Sequence, residues 1–488
     1  MSEHSGFSGA VCRLYLLSYM VVLLAACANS GPGRVADEQA DGRVLARAVE
    51  DQIGFYSDSY LLNYVDAVGR RLVSELDDPP VGVRFQITDQ ATPNAFATAD
   101  GYVYLTRGIL ALAGSEDELA AILAHELAHV ALHHYARLPR SPAPQAGLDV
   151  PGKLVHTVVS EELAAIIEVP VIAAGRVSLG AFSPNQESEA DAFGMRLAAA
   201  AGYRPAALAS VLRTLERTLA VLPDTSQSTP FFGRHPSVPG RSDTIEQLAA
   251  ALQWQPAPHF AKDQAAFLKR LDGLYWGPGN PIQGLFQGQT FLQPDMRFVI
   301  TLPEGWRLAN TPRFVGAFES DGHALVVLGS AGRMAPPRTY AEQFSARVEK
   351  KLGVVPAESR SVELGSWPGW LLRYRDDSGA GPASVYYLWI RSGRTMFRVL
   401  AAGLDRYTET MKQSLLSLHD MTEAERKSIV AHRLRIETAQ AGENLAGLSA
   451  RSDNLWSPEL TEAVNGLNPD GRLRAGQAVK IMRAERFW

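Results

Sequence analysis

Residues 115–137 read SEDELAAILAHELAHVALHHYAR. Leu119, Ile122, Leu123, Leu127 and Val130 recur at helical spacing, so the segment is expected to be a helix with one apolar face. Ser115 and Glu118 form an S-x-x-E capping box at its start, and Pro139 bars it from continuing, which predicts a helix running to about Arg137. Helical residues four apart share a face, with Cβ atoms about 5–6 Å apart. His125 and His129 of HELAH therefore offer two imidazole nitrogens to one Zn²⁺. Glu126 projects beside that metal. A carboxylate there takes a proton from water acidified by the metal and passes it to a departing amine. The H-E-x-x-H order carries this division of labour and points to a zinc-dependent peptidase.

A third ligand is needed. A pattern with Gly at 132 and His at 135 fails, because those positions hold Leu132 and Tyr135. A glutamate from a later helix remains. ESEAD, residues 187–191, puts Glu187 and Asp191 on one helical face. Glu187 is the expected ligand, with Glu189 as its rival, and Asp191 is expected to orient a ligand histidine from behind. His133 lies a further turn up the axis and is read as solvated or as support for a ligand. His235 precedes Pro236, and a plain loop role stands beside any role at the metal.

HELAHV followed by ESEAD resembles the gluzincin metallopeptidases of the HtpX and BepA-like type, which include the CAAX prenyl protease. The stretch Asn94-Ala95-Phe96-Ala97, continuing through Gly101-Tyr102-Val103, is similar to the edge strand of that family's cleft. The resemblance implies one zinc per chain and protein or peptide substrates added as an extra strand. It also implies that His235 can sit over the zinc and gate the site, and that Arg241 stabilises the oxyanion. BepA-like members carry tetratricopeptide repeats after the protease domain, and this chain shows none.

The chain has 488 residues, 46% hydrophobic and 20% charged, which fits a globular protein of two or three domains. A formal net charge of −5 with no long basic run excludes nucleic acid as an expected partner. Both cysteines, Cys12 and Cys27, lie near the start. Residues 1–26 read as a lipoprotein signal peptide. Leu24-Ala25-Ala26-Cys27 resembles a lipobox, so lipidated Cys27 is expected to hold the chain to a membrane in the periplasm, the outer membrane by resemblance. Residues 27–44 read as a tether, 45–275 as the mainly α zincin-type domain with a small edge sheet, and 276–289 as a linker. A helix is expected over 154–179. Residues 290–425 alternate like an α+β domain with a mainly antiparallel sheet. Residues 434–483 run strand, helix, helix, strand and are similar to a LysM module, which implies peptidoglycan as a partner.

Two functions follow as expectations. The first is a lipid-anchored periplasmic zinc endopeptidase acting on misfolded or stalled envelope proteins. The alternative is a chaperone-like or peptidoglycan-associated binding lipoprotein whose site is gated or weakly active.

Overall fold

The structure, a computed structural model, describes residues 46–137, 181–222, 230–236 and 239–487, apart from positions 48, 52, 278, 333, 378–380 and 468–471. The signal segment, the tether with Cys27 and the helix expected at 154–179 lie outside the described residues. Among those described, no helix is long and apolar enough to cross a membrane.

Helix α1 (Ser59–Val73) starts at Asp58, whose side chain accepts the Leu61 N–H. Leu61, Tyr64, Val65, Val68 and Leu72 are its buried stripe, each contributing about 1.5–3 kcal/mol by burial. Three short strands follow: β1 (Arg84–Thr88), β2 (Ala95–Ala97) and β3 (Tyr102–Thr106). Their order is β1-β3-β2, with β1 parallel to β3 and β2 antiparallel to it, so β2 is an edge. Helices α2 (Arg107–Leu112) and α3 (Glu116–Ala131) come next. Then follow α4 (Pro184–Ala200), α5 (Ala207–Val221), α6 (Pro230–Arg234), α7 (Arg241–Ala250) and α8 (Gln264–Arg270). One continuous apolar core joins α1, α3, α4, α5 and the small sheet.

Three expectations need correction. Helix α3 ends at Ala131, not near Arg137, because His133 turns the chain at φ 52° and a 3₁₀ turn, His134–Arg137, follows. The capping box is half formed. Ser115 Oγ accepts the Glu118 N–H, but the Glu118 carboxylate reaches back to the Gly114 N–H at 2.7 Å rather than to Ser115. The stretch expected as a linker, 276–289, contains strand β4 (Leu285–Gln287) and is bound to the first domain. Buried Arg107 donates to the Gly277 carbonyl, and Asn280 to Asp89.

Beyond β4 lie β5 (Thr290–Gln293), β6 (Phe298–Thr301), β7 (Arg307–Asn310), β8 (Phe314–Phe318), β9 (Ala324–Ser330) and helix α9 (Pro337–Leu352). Next are β10 (Glu358–Leu364), β11 (Trp367–Asp376), β12 (Ala383–Ser392), β13 (Thr395–Leu404), α10 (Thr408–Leu416) and β14 (His419–Asp420). Seven of these strands form an antiparallel sheet in the order β10-β11-β12-β13-β9-β8-β7. Helix α9 covers one face through Phe344 and Val348, and α10 covers the other through Met411 and Leu415. β12 is buried on both sides: Val385, Tyr387 and Trp389 meet α9, while Tyr386, Leu388 and Ile390 face the opposite layer. The aromatic cluster at 386–389 is thus sheet core.

The C-terminal unit is β15 (Val430–Thr438), α12 (Leu445–Arg451), α13 (Pro458–Asn465) and β16 (Ala478–Arg486), once α11 (Glu423–Ser428) is passed. β15 and β16 pair antiparallel from Val430↔Arg486 to Thr438↔Ala478. The strand-helix-helix-strand order is the expected one, but the strands overrun 434–483 at both ends. The unit does not stand apart. Residues 273–276 hydrogen-bond along β15, and Trp276 meets Trp456 edge-on with ring centroids 4.8 Å apart.

Candidate metal centre

Helix α4 begins with a complete capping box between Ser183 and Gln186, with Pro184 in its first turn. It then runs against α3. The two helices approach closely at Gly194, where a Cβ would stand 3.0 Å from the Ala124 carbonyl carbon and the His125 nitrogen. That approach lets a glutamate of α4 reach histidines of α3.

The ligand-type atoms converge. His125 Nε2 and His129 Nε2 are 3.1 Å apart. Glu187 Oε1 lies 3.4 Å from His129 Nε2, and its Oε2 lies 3.6 Å from His125 Nε2. His235, arriving from the end of α6, places Nδ1 3.2 Å from His125 Nε2 and 3.1 Å from Glu187 Oε1. One ligand atom from each of these four buried residues lies within 4.8 Å of every other. Two imidazole Nε2 atoms, a carboxylate and a third imidazole around one point are a donor set that suits Zn²⁺.

The groups around the set shift its members in different directions. Burial opposes charge on His125, but the hydrogen bond with Asp191 and the charges of Glu187 and Asp191 hold its pKa above the usual value; Asp191 Oδ1 is 3.1 Å from His125 Nδ1. Burial holds His129 well below the usual imidazole value, against the pull of Glu187, so it is neutral at pH 7. For Glu187, burial works upward, but His235, His129 and His125 together hold the carboxyl far below its usual range. Burial also works to raise Asp191, and its hydrogen bonds to His125 and Arg241 win, keeping it ionised. Arg241 donates to both Asp191 oxygens at 2.8 and 2.7 Å, and its Nη2 lies 2.8 Å from Glu187 Oε2. Its Nη1 is buried with no hydrogen-bond partner among the described residues.

Glu126 is wholly buried, and neither of its carboxylate oxygens has a hydrogen-bond partner among the described residues. Its Oε1 lies 3.5 Å from His235 Nε2. An orphaned carboxylate beside a converging ligand set fits a metal site that handles protons.

The structure brings His125, Glu126, His129, Glu187, Asp191, His235 and Arg241 together. Glu189 is not in the ligand group. Four more residues have no motif of their own. Phe182 stacks on His129 at 3.8 Å. His134 lies behind His129. Tyr135 and Arg234 hold the β2 edge: the Ala97 N–H donates to Tyr135 Oη at 3.2 Å, and Arg234 Nη2 reaches the Ala97 carbonyl at 3.5 Å. His133 and His134 stand together after HExxH in the sequence, and the structure exposes His133 and buries His134.

Residues 61–249 match the model of peptidase family M48. This stretch is an M48 metallopeptidase domain. The chain is similar to a putative beta-barrel assembly-enhancing protease of Vibrio cholerae, with 32% identity over 225 residues, 45% of each chain. It is also similar to the beta-barrel assembly-enhancing protease of Yersinia pestis, with 25% identity over 252 residues, 51% of each chain. A third relative is the mitochondrial metalloendopeptidase OMA1 of Schizosaccharomyces pombe, 29% identical over 220 residues, 42% of this chain and 60% of that one. The chain spans about half the length of the first two. The M48 match ends before the seven-stranded sheet begins.

Proposed function

We propose that this chain is a zinc-dependent endopeptidase of the cell envelope, held to the outer membrane by lipid on Cys27, that cleaves misfolded or stalled envelope proteins. The observation that carries the catalytic part is the convergence of His125, His129 and Glu187 beside wholly buried Glu126. When bound there, zinc supplies Lewis-acid polarisation of the scissile carbonyl and acidifies water. Glu126 accepts that water's proton on a carboxylate oxygen and delivers it to the departing amine. Asp191 and Arg241 keep His125 and Glu187 oriented, and the spare Nη1 of Arg241 donates to developing negative charge. An extended peptide adds to the edge of β2. The beta-barrel assembly-enhancing names of the relatives and the Leu24–Cys27 tetrapeptide support the envelope setting.

Purified protein is expected to hold one zinc per chain. Less than half an equivalent, unchanged in Glu187→Ala, overturns the metal assignment. Glu126→Gln is expected to keep the zinc and to cleave casein about 10²–10⁴-fold more slowly. Wild-type cleavage by that variant removes Glu126 from the proposed role.

His235 supports a second reading, a closed state. With His125, His129 and Glu187 it would offer a metal four protein ligands, the number found in structural rather than catalytic zinc sites. Tyr135 and Arg234 meanwhile occupy the backbone edge that a substrate needs. In this state the chain binds envelope proteins, or peptidoglycan through the LysM-like unit at 434–483, without cutting. His235→Ala is expected to raise casein cleavage several-fold. Unchanged cleavage, with zinc retained, argues against gating.

A further inference from the structure

We infer that His134 and Glu189 are positioning residues for the metal ligand His129, a role that rests on the zinc-site reading above. The chain reversal at His133 returns His134 beneath the helix it has just left. His134 is wholly buried, with Nδ1 2.9 Å from His129 Nδ1. Its Nε2 is 3.1 Å from Glu189 Oε2, and its backbone carbonyl accepts from the Gln186 amide at 3.1 Å.

The chemistry fixes the direction of this chain. His129 presents Nε2 to the other ligands, so the hydrogen of a neutral, ligating His129 is on Nδ1. That N–H donates to His134 Nδ1, which must then be bare. The hydrogen of His134 is therefore on Nε2, and Glu189 accepts it. Each ring has one tautomer and one orientation, and each is set by the next group outward.

The same helix treats the other ligand histidine in parallel. Asp191 stands directly behind His125. ESEAD thus brings three carboxylates to one centre: Glu187 into the ligand set, Asp191 behind His125, and Glu189 behind His129 through His134. Glu189 was the rival ligand in the sequence. The structure assigns it this outer place instead. Its side chain is 53% exposed, so its pull on His134 is screened by water, and His134 carries the larger share.

Zinc affinity of the full chain, by competition with a chelator, tests this, with metal-free melting run in parallel to report folding. His134→Phe fills the space without an acceptor and is expected to weaken zinc binding about 10- to 100-fold. His134→Asn restores an acceptor near the Nδ1 position and is expected to recover most of that loss, which a merely space-filling role does not predict. Glu189→Ala, at a half-exposed position, is expected to lose a few-fold. If wild type binds no zinc, the metal reading itself falls. If wild type binds zinc and His134→Phe and Glu189→Ala bind it equally tightly, this inference alone falls. If His134→Phe does not fold, Glu189→Ala decides.

Discussion

Arg241 is buried against two ionised carboxylates, with Asp191 taking two of its N–H bonds and Glu187 standing within ion-pair distance. Removing the cation leaves both negative charges in a low-dielectric site, which costs about 3–5 kcal/mol when one member of a buried pair is lost. Arg241→Met is therefore expected to lower the melting temperature of the metal-free protein markedly. Bound zinc brings positive charge to the same carboxylates, so the deficit is expected to be smaller in the zinc-loaded protein. Melting curves with and without zinc check this, and equal deficits overturn it. At this scale the sequence is most legible where the geometry is local. His125 with His129, and Glu187 with Asp191, are readable because residues one helical turn apart share a face, and Glu126 is readable only from the H-E-x-x-H order. The partners of Arg241 and the place of His134 depend on chain reversals at residues 133 and 240, where His133 and Gly240 have positive φ, and spacing alone does not reveal them.

Elements bring the two halves of the centre together, and Gly194 marks where they touch. A Cβ there meets the backbone of Ala124 and His125 at 3.0 Å, against groups that cannot rotate away. Gly194→Val forces α4 off α3, an overpacking that costs about 1–3 kcal/mol. It also draws Glu187 away from His125 and His129. The expected outcome is a folded protein with weakened zinc binding, read by chelator competition. Wild-type zinc affinity in a folded Gly194→Val protein counts against this crossing as the setting of the ligand distance. The longer helices, α1, α9 and α10 among them, were foreseeable from their apolar periodicity, and about half the strands of the second domain from their alternation. Strand order was not: β13 pairs with β9, across more than sixty residues of chain, and nothing local in either strand names the other. β12 shows a continuous apolar run because both its faces are covered, which hides the alternation that marks a one-sided strand.

Across the whole molecule, the C-terminal unit acts on the protease domain rather than trailing from it. Lys480 of β16 is buried, and its Nζ donates to the carbonyls of Ala111, Leu112 and Ala113 at 3.1, 2.9 and 3.2 Å. Those carbonyls close α2, where a helix leaves its last acceptors unpaired and where a cation is favoured. Two residues later Ser115 caps α3, the helix of His125 and His129. A residue from near the end of the described chain thus fixes the turn from which the helix of His125 and His129 starts. Lys480→Met keeps the apolar stem and removes all three donors, leaving buried acceptors unsatisfied at a cost of about 1–3 kcal/mol. The melting temperature is expected to fall by several degrees while zinc stoichiometry stays at the wild-type level. If Lys480→Met melts at or above the wild-type temperature, the ammonium is not what joins the two units, and the apolar contact of Trp276 with Trp456 carries the junction instead.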